Sequence, residues 1–132
     1  MLMDNIKDFH EKFQLPSAPI PSFLPPELLD FRVKFLQEEL DEFIIAHRCK
    51  DLAGCLDALV DLVYVALGTA YLMNVPFNAA WDAVHTANMA KVRAERASDS
   101  KRSSSFDVIK PPGWTAPNIT QVIEEYQLSL PL

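Results

Sequence analysis

Apolar residues recur at steps of three and four along three long stretches of the chain, the spacing that gathers them on one face of an α-helix. Residues 26–48 form the first stretch, and Pro26 suits its opening turn, where a missing N–H costs little. Residues 52–73 form the second, after Asp51 as a candidate N-cap, and residues 77–97 form the third. Because no run alternates apolar and polar residues cleanly, strands are poorly supported and the pattern predicts an all-α chain.

The short joint between the first two stretches predicts an antiparallel helical hairpin, to which a third long helix is added. Two shorter helices are expected near the ends, at residues 4–13 with Asp4 as cap and at residues 119–127 with Asn118 as cap. Between the helices, prolines favour extended straps and a polar run favours a surface loop. We assign the straps to residues 15–26 and 110–117, and the loop to residues 98–105.

Three long helices and two straps make a thin structure for a single domain that covers residues 1–132. The apolar faces that carry Val63, Leu67 and Tyr71 need partners. We therefore expect helices from a second copy of the chain to complete the bundle, in a homodimer or a homotetramer.

Composition narrows the class of protein. An apolar content of 49% and a charged content of 23% favour a packed core over global disorder. The formal net charge of −6 argues against a general binder of nucleic-acid backbones, which should be basic. Cys49 and Cys55 lack zinc-site spacing and are interpreted as reduced thiols. With no signal peptide at the start and no apolar run of about 18 residues, we expect a cytoplasmic protein with no membrane partner.

Five acidic side chains interrupt the apolar pattern of the predicted hairpin. An α-helix turns about 100° per residue, so Glu38 and Glu42 lie about 40° apart and Glu39 lies beside them. Asp57 and Asp61 share a stripe of the next helix, inside a run that is otherwise apolar. Solvated surface acids and structural pairs with Arg or Lys are the alternatives. We favour ligands for Mg²⁺ or Mn²⁺, because clustered carboxylates in a partly dry place need a compensating cation.

Other residues are candidates for substrate contacts, each with a simpler alternative. Lys34 lies one turn before Glu38 and either forms a surface ion pair or reaches a phosphate. Asn88 and Lys91 follow His85 at steps of three and either donate to phosphate oxygens or lie on a solvated face. Trp114 either anchors the second strap or stacks on a nucleobase, and the same question applies to Phe13.

Several motifs together resemble one family. The motifs EELDE (38–42), LDALVDLVYVALGTA (56–70) and HTANMAK (85–91) are similar to the MazG-like all-α nucleoside triphosphate pyrophosphohydrolases. The segments FHEKFQLP (9–16) and KPPGWTAPNI (110–119), with the block around EELDE, resemble the compact branch that bacteriophages often carry. The resemblance covers about residues 5–126, nearly the whole chain.

The resemblance implies a helical core assembled as a dimer or a dimer of dimers. It implies cleavage between the α- and β-phosphates of a nucleotide, with two or three Mg²⁺ or Mn²⁺ ions held by an ExxE motif and an ExxD motif. Glu39 and Glu42 match the first motif, with Glu38 before them. Asp61 matches the end of the second motif, but Ala58 replaces its Glu, and Asp57 is expected to substitute for it.

Asn88 and Lys91 match the block of the family that contacts phosphates, and Glu38 or Glu39 would act as general base. The expected activity is (d)NTP + H₂O → (d)NMP + pyrophosphate, with dGTP favoured as the substrate of a phage-type enzyme acting in the host cytoplasm. Hydrolysis of dUTP or dCTP, a broad specificity, and a non-catalytic helical module that binds a partner helix stay open.

Overall fold

The computed structural model describes residues 1–131, and α-helices dominate that part of the chain. The helices are α1 (Leu2–Lys12), α2 (Pro26–Arg48), α3 (Leu52–Met73), α4 (Phe77–Met89) and α5 (Ile119–Ser129). Two short strands, β1 (Val92–Arg93) and β2 (Val108–Ile109), and a 3₁₀ turn at Ala97–Asp99 complete the elements. The chain divides into two units, one made of residues 1–77 and 126–131 and the other of residues 78–125.

The predicted hairpin of α2 and α3 is confirmed with its predicted bounds, and the two helices pack against each other. Asp51 caps α3 as predicted, because its carboxylate accepts a hydrogen bond from the Gly54 N–H at 2.9 Å. Lys50 takes a left-handed conformation with φ of 58°, which lets the chain reverse in a joint of only three residues. This tight joint fixes which turns of α2 face which turns of α3.

The interior of the first unit lies where α1 and the first strap cover α3. Ile6 of α1 and Val65, Leu67 and Leu72 of α3 are buried. The predicted strap at residues 15–26 has no regular structure before α2, and it is tied to the end of α3 by hydrogen bonds from the Ala18 N–H to Leu72 O (2.9 Å) and from the Ser22 N–H to Met73 O (3.0 Å).

The predicted end helices need small corrections. α1 begins at Leu2 instead of residue 4, and Asp4 is not its cap but lies in its first turn, where it pairs with the terminal amine of Met1 at 3.0 Å. α5 extends to Ser129, and Asn118 accepts a hydrogen bond from the Gln121 N–H at 3.0 Å, which confirms the predicted cap.

The predicted third helix over residues 77–97 is wrong beyond Met89. The chain leaves the helix in a tight turn, with a hydrogen bond from the Lys91 N–H to Asn88 O at 3.1 Å. It then enters β1, where Val92 pairs antiparallel with Ile109. The helix was predicted from the local spacing of apolar residues, whereas β1 forms by pairing with β2, which is distant in sequence. The local spacing carries no information about that pairing. This two-stranded ribbon also corrects the expectation of a chain without strands.

The apolar surface of α3 is not fully covered within the described residues. Leu67 is buried and Tyr71 stacks on His10, so that Val63 alone stays exposed among the three residues expected to need partners. Further exposed apolar residues of α3 are Leu52, Leu56, Leu59 and Val60. α3 is long and apolar enough to cross a membrane. Core helices of soluble proteins can have the same length and composition.

Candidate functional site

Three carboxylates of the hairpin meet at one place. Glu39 and Glu42 lie one turn apart on α2, and Asp61 reaches them from α3. One oxygen from each residue can be chosen so that all three lie within 4.8 Å of one another. Opposite oxygens around a six-coordinate Mg²⁺ are about 4 Å apart, so a small closure of these side chains would let one ion contact all three.

The three carboxylates of this cluster differ in their exposure to solvent. Glu39 is 6% exposed, Asp61 is half-buried and Glu42 is exposed. The Oε2 atom of Glu39 is buried and has no hydrogen-bond partner among residues 1–131. Within the same residues, no Lys, Arg or His forms an ion pair with any of the three acids. The alternative of structural pairs with basic residues is therefore not supported, and the oxygen set suits a hard cation that enters from the open side.

The pKa values of the cluster show that its concentrated negative charge is unfavourable. Burial, a hydrogen bond with Glu42 and the charges of Glu42, Asp61 and Glu38 raise the pKa of Glu39 to about 7. Burial and the neighbouring carboxylates of Asp57 and Glu42 also raise the pKa of Asp61. A divalent cation would remove this penalty by supplying positive charge where the fold concentrates negative charge.

A comparison with protein families found a match that includes the α2–α3 hairpin. The family of phosphoribosyl-ATP pyrophosphohydrolases matches residues 6–88, well over half of the 132-residue chain. The chain belongs to this family. The family lies within the MazG-like all-α superfamily of nucleoside triphosphate pyrophosphohydrolases, and its members are typically metal-dependent. The match contains all three clustered carboxylates and supports nucleotide pyrophosphohydrolase activity in general. No curated protein matched the chain.

The other two predicted acidic ligands lie outside the set of three carboxylates in this family member. Glu38 and Asp57 are both exposed, and they act on the cluster through their charges, on Glu39 and Asp61 respectively. Ala58, which replaces the Glu of the second motif, is buried at 2% exposure. The substitution of Asp57 for the missing Glu stays a prediction.

Two further predicted residues of the first unit lie on its surface. Lys34 forms an exposed ion pair with Asp30 at 2.9 Å. A surface ion pair is the simpler of the two interpretations given for Lys34, but its partner is Asp30 and not Glu38. Phe13 follows α1 as its C-terminal cap, is about half exposed and packs its ring on Phe9 at a centroid distance of 4.8 Å. Their role in substrate binding stays a prediction.

The remaining predicted residues belong to the second unit. Asn88 is exposed in the last turn of α4, and Lys91 follows in the turn after the helix and not on the helical face expected for it. The indole N–H of Trp114 donates to Ala87 O at 2.7 Å, which ties the second strap to α4. The ammonium groups of Lys91 and Lys110 lie 5.4 Å and 5.0 Å from the centre of the Trp114 ring. The substrate contacts of Trp114, Asn88 and Lys91 stay predictions.

Sequence reasoning missed the buried cation of the hairpin. Arg32 is 8% exposed, and its guanidinium donates to Thr69 Oγ1 at 3.0 Å and to Val65 O at 2.8 Å. The signal was present, because Arg32 stands one turn after Leu28 on the apolar stripe of α2. A basic residue on a buried stripe indicates a partner on the facing helix, here the backbone and hydroxyl of α3.

Proposed function

We propose that the protein is a metal-dependent hydrolase that cleaves a nucleoside triphosphate between its α- and β-phosphates, giving the monophosphate and pyrophosphate. The observation that carries this proposal is the cluster of Glu39, Glu42 and Asp61, with its buried and unpartnered oxygen, inside the part of the chain that matches a pyrophosphohydrolase family. A helical module that only binds a partner has no need for three carboxylates at this spacing without a cation.

In this proposal Glu39, Glu42 and Asp61 hold Mg²⁺ or Mn²⁺. Asp57 and Glu38 lie beside the cluster and would help to hold the second or third ion expected of the superfamily. When bound, such ions lower the pKa of a water molecule and neutralise charge on the phosphates. Glu38 or Glu39 accepts the proton from the attacking water, and exposure favours Glu38, since Glu39 is enclosed.

The substrate is proposed at a finer level than the family match supports. We favour dGTP and a role in a phage-type pathway in the host cytoplasm. The motifs around EELDE and KPPGWTAPNI support the phage-type branch, and dGTP is taken from that resemblance and not from any residue that reads the base. Phosphoribosyl-ATP is the second candidate, because the matching family is named for it. Hydrolysis of dUTP or dCTP and a broad specificity are further outcomes of the test below.

We also propose that a second copy covers the exposed apolar face of α3, in a homodimer or homotetramer. An apolar cavity of about 450 Å³ lies against this face, lined by residues of α1 and α3 that include Leu2, Leu59 and Val63. The same helix carries Asp57 and Asp61, and charged side chains are costly inside a membrane, so another copy of the protein is a better cover than lipid.

The test is a pyrophosphate-release screen with the common NTPs, the common dNTPs and phosphoribosyl-ATP, each with Mg²⁺ and with Mn²⁺. We expect metal-dependent release that EDTA abolishes and that falls at least a hundredfold in Asp61→Asn. Asp41→Asn is the matched control, because Asp41 is exposed on α2 and pairs with Gln37 at 2.9 Å instead of joining the cluster. Release of orthophosphate alone, or full activity of Asp61→Asn, would contradict the proposal.

A further inference from the structure

The two buried residues of α2, a helix that the structure describes in full, are both charged or polar: Arg32 and Glu39. They stand seven residues apart, about two turns or about 10 Å along the axis, so both lie on one face of the helix. This face meets α3, where Arg32 donates hydrogen bonds and Glu39 approaches Asp61. Hydrogen bonds are directional, whereas apolar packing is not, so these contacts bear strongly on how α2 lies against α3.

Arg32 makes a two-point contact with α3. Its Nε donates to Thr69 Oγ1 at 3.0 Å, and its Nη2 donates to Val65 O at 2.8 Å. The Thr69 hydroxyl donates in turn to Val65 O at 2.7 Å, so the three groups form a closed ring of hydrogen bonds. Because the guanidinium is planar and rigid, a fork of two donors specifies its orientation as well as its distance.

The surroundings of the guanidinium restrict it further. Gly68 provides the space that it fills, since a Cβ atom on that residue would lie 2.7 Å from Nη2 of Arg32. The rings of Phe31 and Phe35 lie 5.9 Å and 5.6 Å from its Cζ. A rotation or slide of α2 would therefore break the two hydrogen bonds or press the guanidinium against the backbone of α3.

Stability alone does not account for a charge at this place. Arg32 is 8% exposed, and within the described part of the chain no carboxylate forms an ion pair with it. Apolar side chains of similar volume often replace buried charged groups without loss of stability. A directional contact is what an apolar side chain does not supply, and buried polar residues set the register of helices in coiled coils.

The contact lies beyond the carboxylate cluster as seen from the joint of the hairpin. Going away from the joint at residues 49–51, Glu39 precedes Arg32 on α2. On α3, Asp61 likewise precedes Val65. The cluster is thus bracketed by two fixed points, the joint on one side and the Arg32 contact on the other. A helix pair held at two points has less freedom to rotate between them than a pair held at one.

We propose that Arg32 is a positioning residue of the metal site, whose two-point contact with α3 holds α2 at the rotation that brings Glu39 and Glu42 to Asp61. The proposal rests on the proposed function, because these three carboxylates are the metal ligands assigned there. Arg32 acts through the helix and touches neither the metal nor the substrate.

Manganese affinity separates this role from an effect of charge. A nearby positive charge repels a cation, so its removal alone would tighten Mn²⁺ binding. If Arg32 holds the carboxylates in place, Arg32→Met should instead weaken Mn²⁺ binding about tenfold, as loss of groups that orient metal ligands commonly does. Arg32→Lys keeps the charge but not the fork, and should weaken it as well. Calorimetry at pH 8 on the full chain measures both.

Three controls accompany these variants. Arg48→Met removes the same charge from the exposed last turn of α2 and should not weaken Mn²⁺ binding. Thr69→Val keeps the shape of the side chain but removes the acceptor of Nε, so it should weaken binding in the same direction even if the Arg32 variants fold poorly. Leu72→Ala, at a buried position of α3 outside the hydrogen-bonded ring, should lower the Tm in EDTA without changing Mn²⁺ affinity.

NMR in EDTA tests the positions of the carboxylates without any metal. Nuclear Overhauser cross-peaks between side-chain protons of Glu39 and Asp61 should be present in the wild type and in Arg48→Met, and should weaken in Arg32→Met. Unchanged cross-peaks in Arg32→Met would overturn the proposal, and so would Mn²⁺ binding by this variant as tight as that of a metal-binding wild type. Loss of the cross-peaks in Arg32→Met beside a wild type that takes up no Mn²⁺ would support the positioning role and contradict the proposed metal site.

Discussion

Glu39 shows most clearly how the fold stresses the residues that matter. It is enclosed on α2, where Arg32 is the other buried residue, and one of its oxygens has no donor among residues 1–131. Removing a carboxylate from water without a partner costs several kcal/mol, so without a cation the group holds its proton to a higher pH than an exposed carboxyl does. The pKa of about 7 expresses that balance.

This balance predicts an unusual dependence of stability on pH. The pKa of Glu39 is raised from 4.5 to about 7, so the folded state holds the proton more tightly than the unfolded chain. The stabilisation is complete below pH 4.5 and is lost as the pH rises to about 7. Thermal melts in EDTA should show a Tm that falls across this range in the wild type and a flatter profile in Glu39→Gln.

The control for this prediction is Glu38→Gln, which removes a neighbouring exposed carboxylate. It should keep the downward slope, made somewhat shallower because Glu38 contributes to the raised pKa of Glu39. Saturating Mn²⁺ should reverse the slope, since its ligands bind only when deprotonated. A Tm of the metal-free wild type that climbs between pH 4.5 and 7 would contradict this interpretation of the cluster.

The sequence was sufficient to name the acids but not to rank them. Residue spacing put Glu39, Glu42 and Asp61 among the candidates, because charge inside an apolar run is visible in the sequence itself. It did not show that Glu39 is enclosed while Glu38 and Asp57 face water. That distinction depends on the rotation of α2 against α3, which the tight joint at Lys50 and Asp51 sets.

Among the helices, α3 depends on a close approach at Gly68. A Cβ atom built on Gly68 would lie 2.7 Å from Nη2 of Arg32 and 3.2 Å from Cε1 of His10. Both neighbours are buried and hydrogen-bonded, His10 through Nδ1 to Ile6 O at 2.7 Å, so neither moves freely. The close crossing at this glycine lies within one chain, where α1 and α2 meet α3.

Gly68→Ala should therefore destabilise the protein, although alanine is a better helix former by about 1 kcal/mol. Overpacking of a fixed neighbourhood costs about 1–3 kcal/mol, which we expect to exceed that gain. Urea unfolding of Gly68→Ala, Arg32→Met and the double variant measures the coupling. The glycine substitution should cost less when Arg32 is already shortened. Equal costs in both backgrounds, or a stabilised single variant, would show that Arg32 is not the limiting contact.

The helix bounds show where local reasoning ends. The predicted bounds of α2 and α3 are confirmed because caps, a first-turn proline and periodicity all act within a few residues. The end of α4 was missed because β1 exists only through its pairing with β2, in which Val92 lies opposite Ile109, seventeen residues further along the chain.

For the whole molecule, the exposed apolar face of α3 is the feature that bears on assembly. Leu52 is 84% exposed, and Val63, which is 49% exposed, lines an apolar cavity of about 450 Å³. An apolar surface of this kind on one helix is typical of an interface and not of a free monomer. The match to residues 6–88 includes this face, so the proposed assembly and the proposed catalysis would depend on the same helix.

Light scattering on the purified protein should give a mass of two or four times 14.9 kDa. Val63→Arg should shift the mass towards one copy, because a charge buried in an apolar interface without a partner costs several kcal/mol. Leu128→Arg is the control, since Leu128 is 87% exposed on α5 and does not line the apolar cavity. A monomeric wild type at micromolar concentration would contradict the predicted assembly.

Manganese binding to the carboxylate cluster is the most direct test of the proposed chemistry. Calorimetry at pH 8 should show Mn²⁺ uptake by the wild type, with affinity that falls when the pH is lowered to 6 because Glu39 then takes a proton. Asp61→Asn should bind Mn²⁺ at least tenfold more weakly, and Asp41→Asn should match the wild type. No uptake of Mn²⁺ by the wild type, with or without a non-hydrolysable triphosphate, would contradict the metal site and the hydrolase built on it.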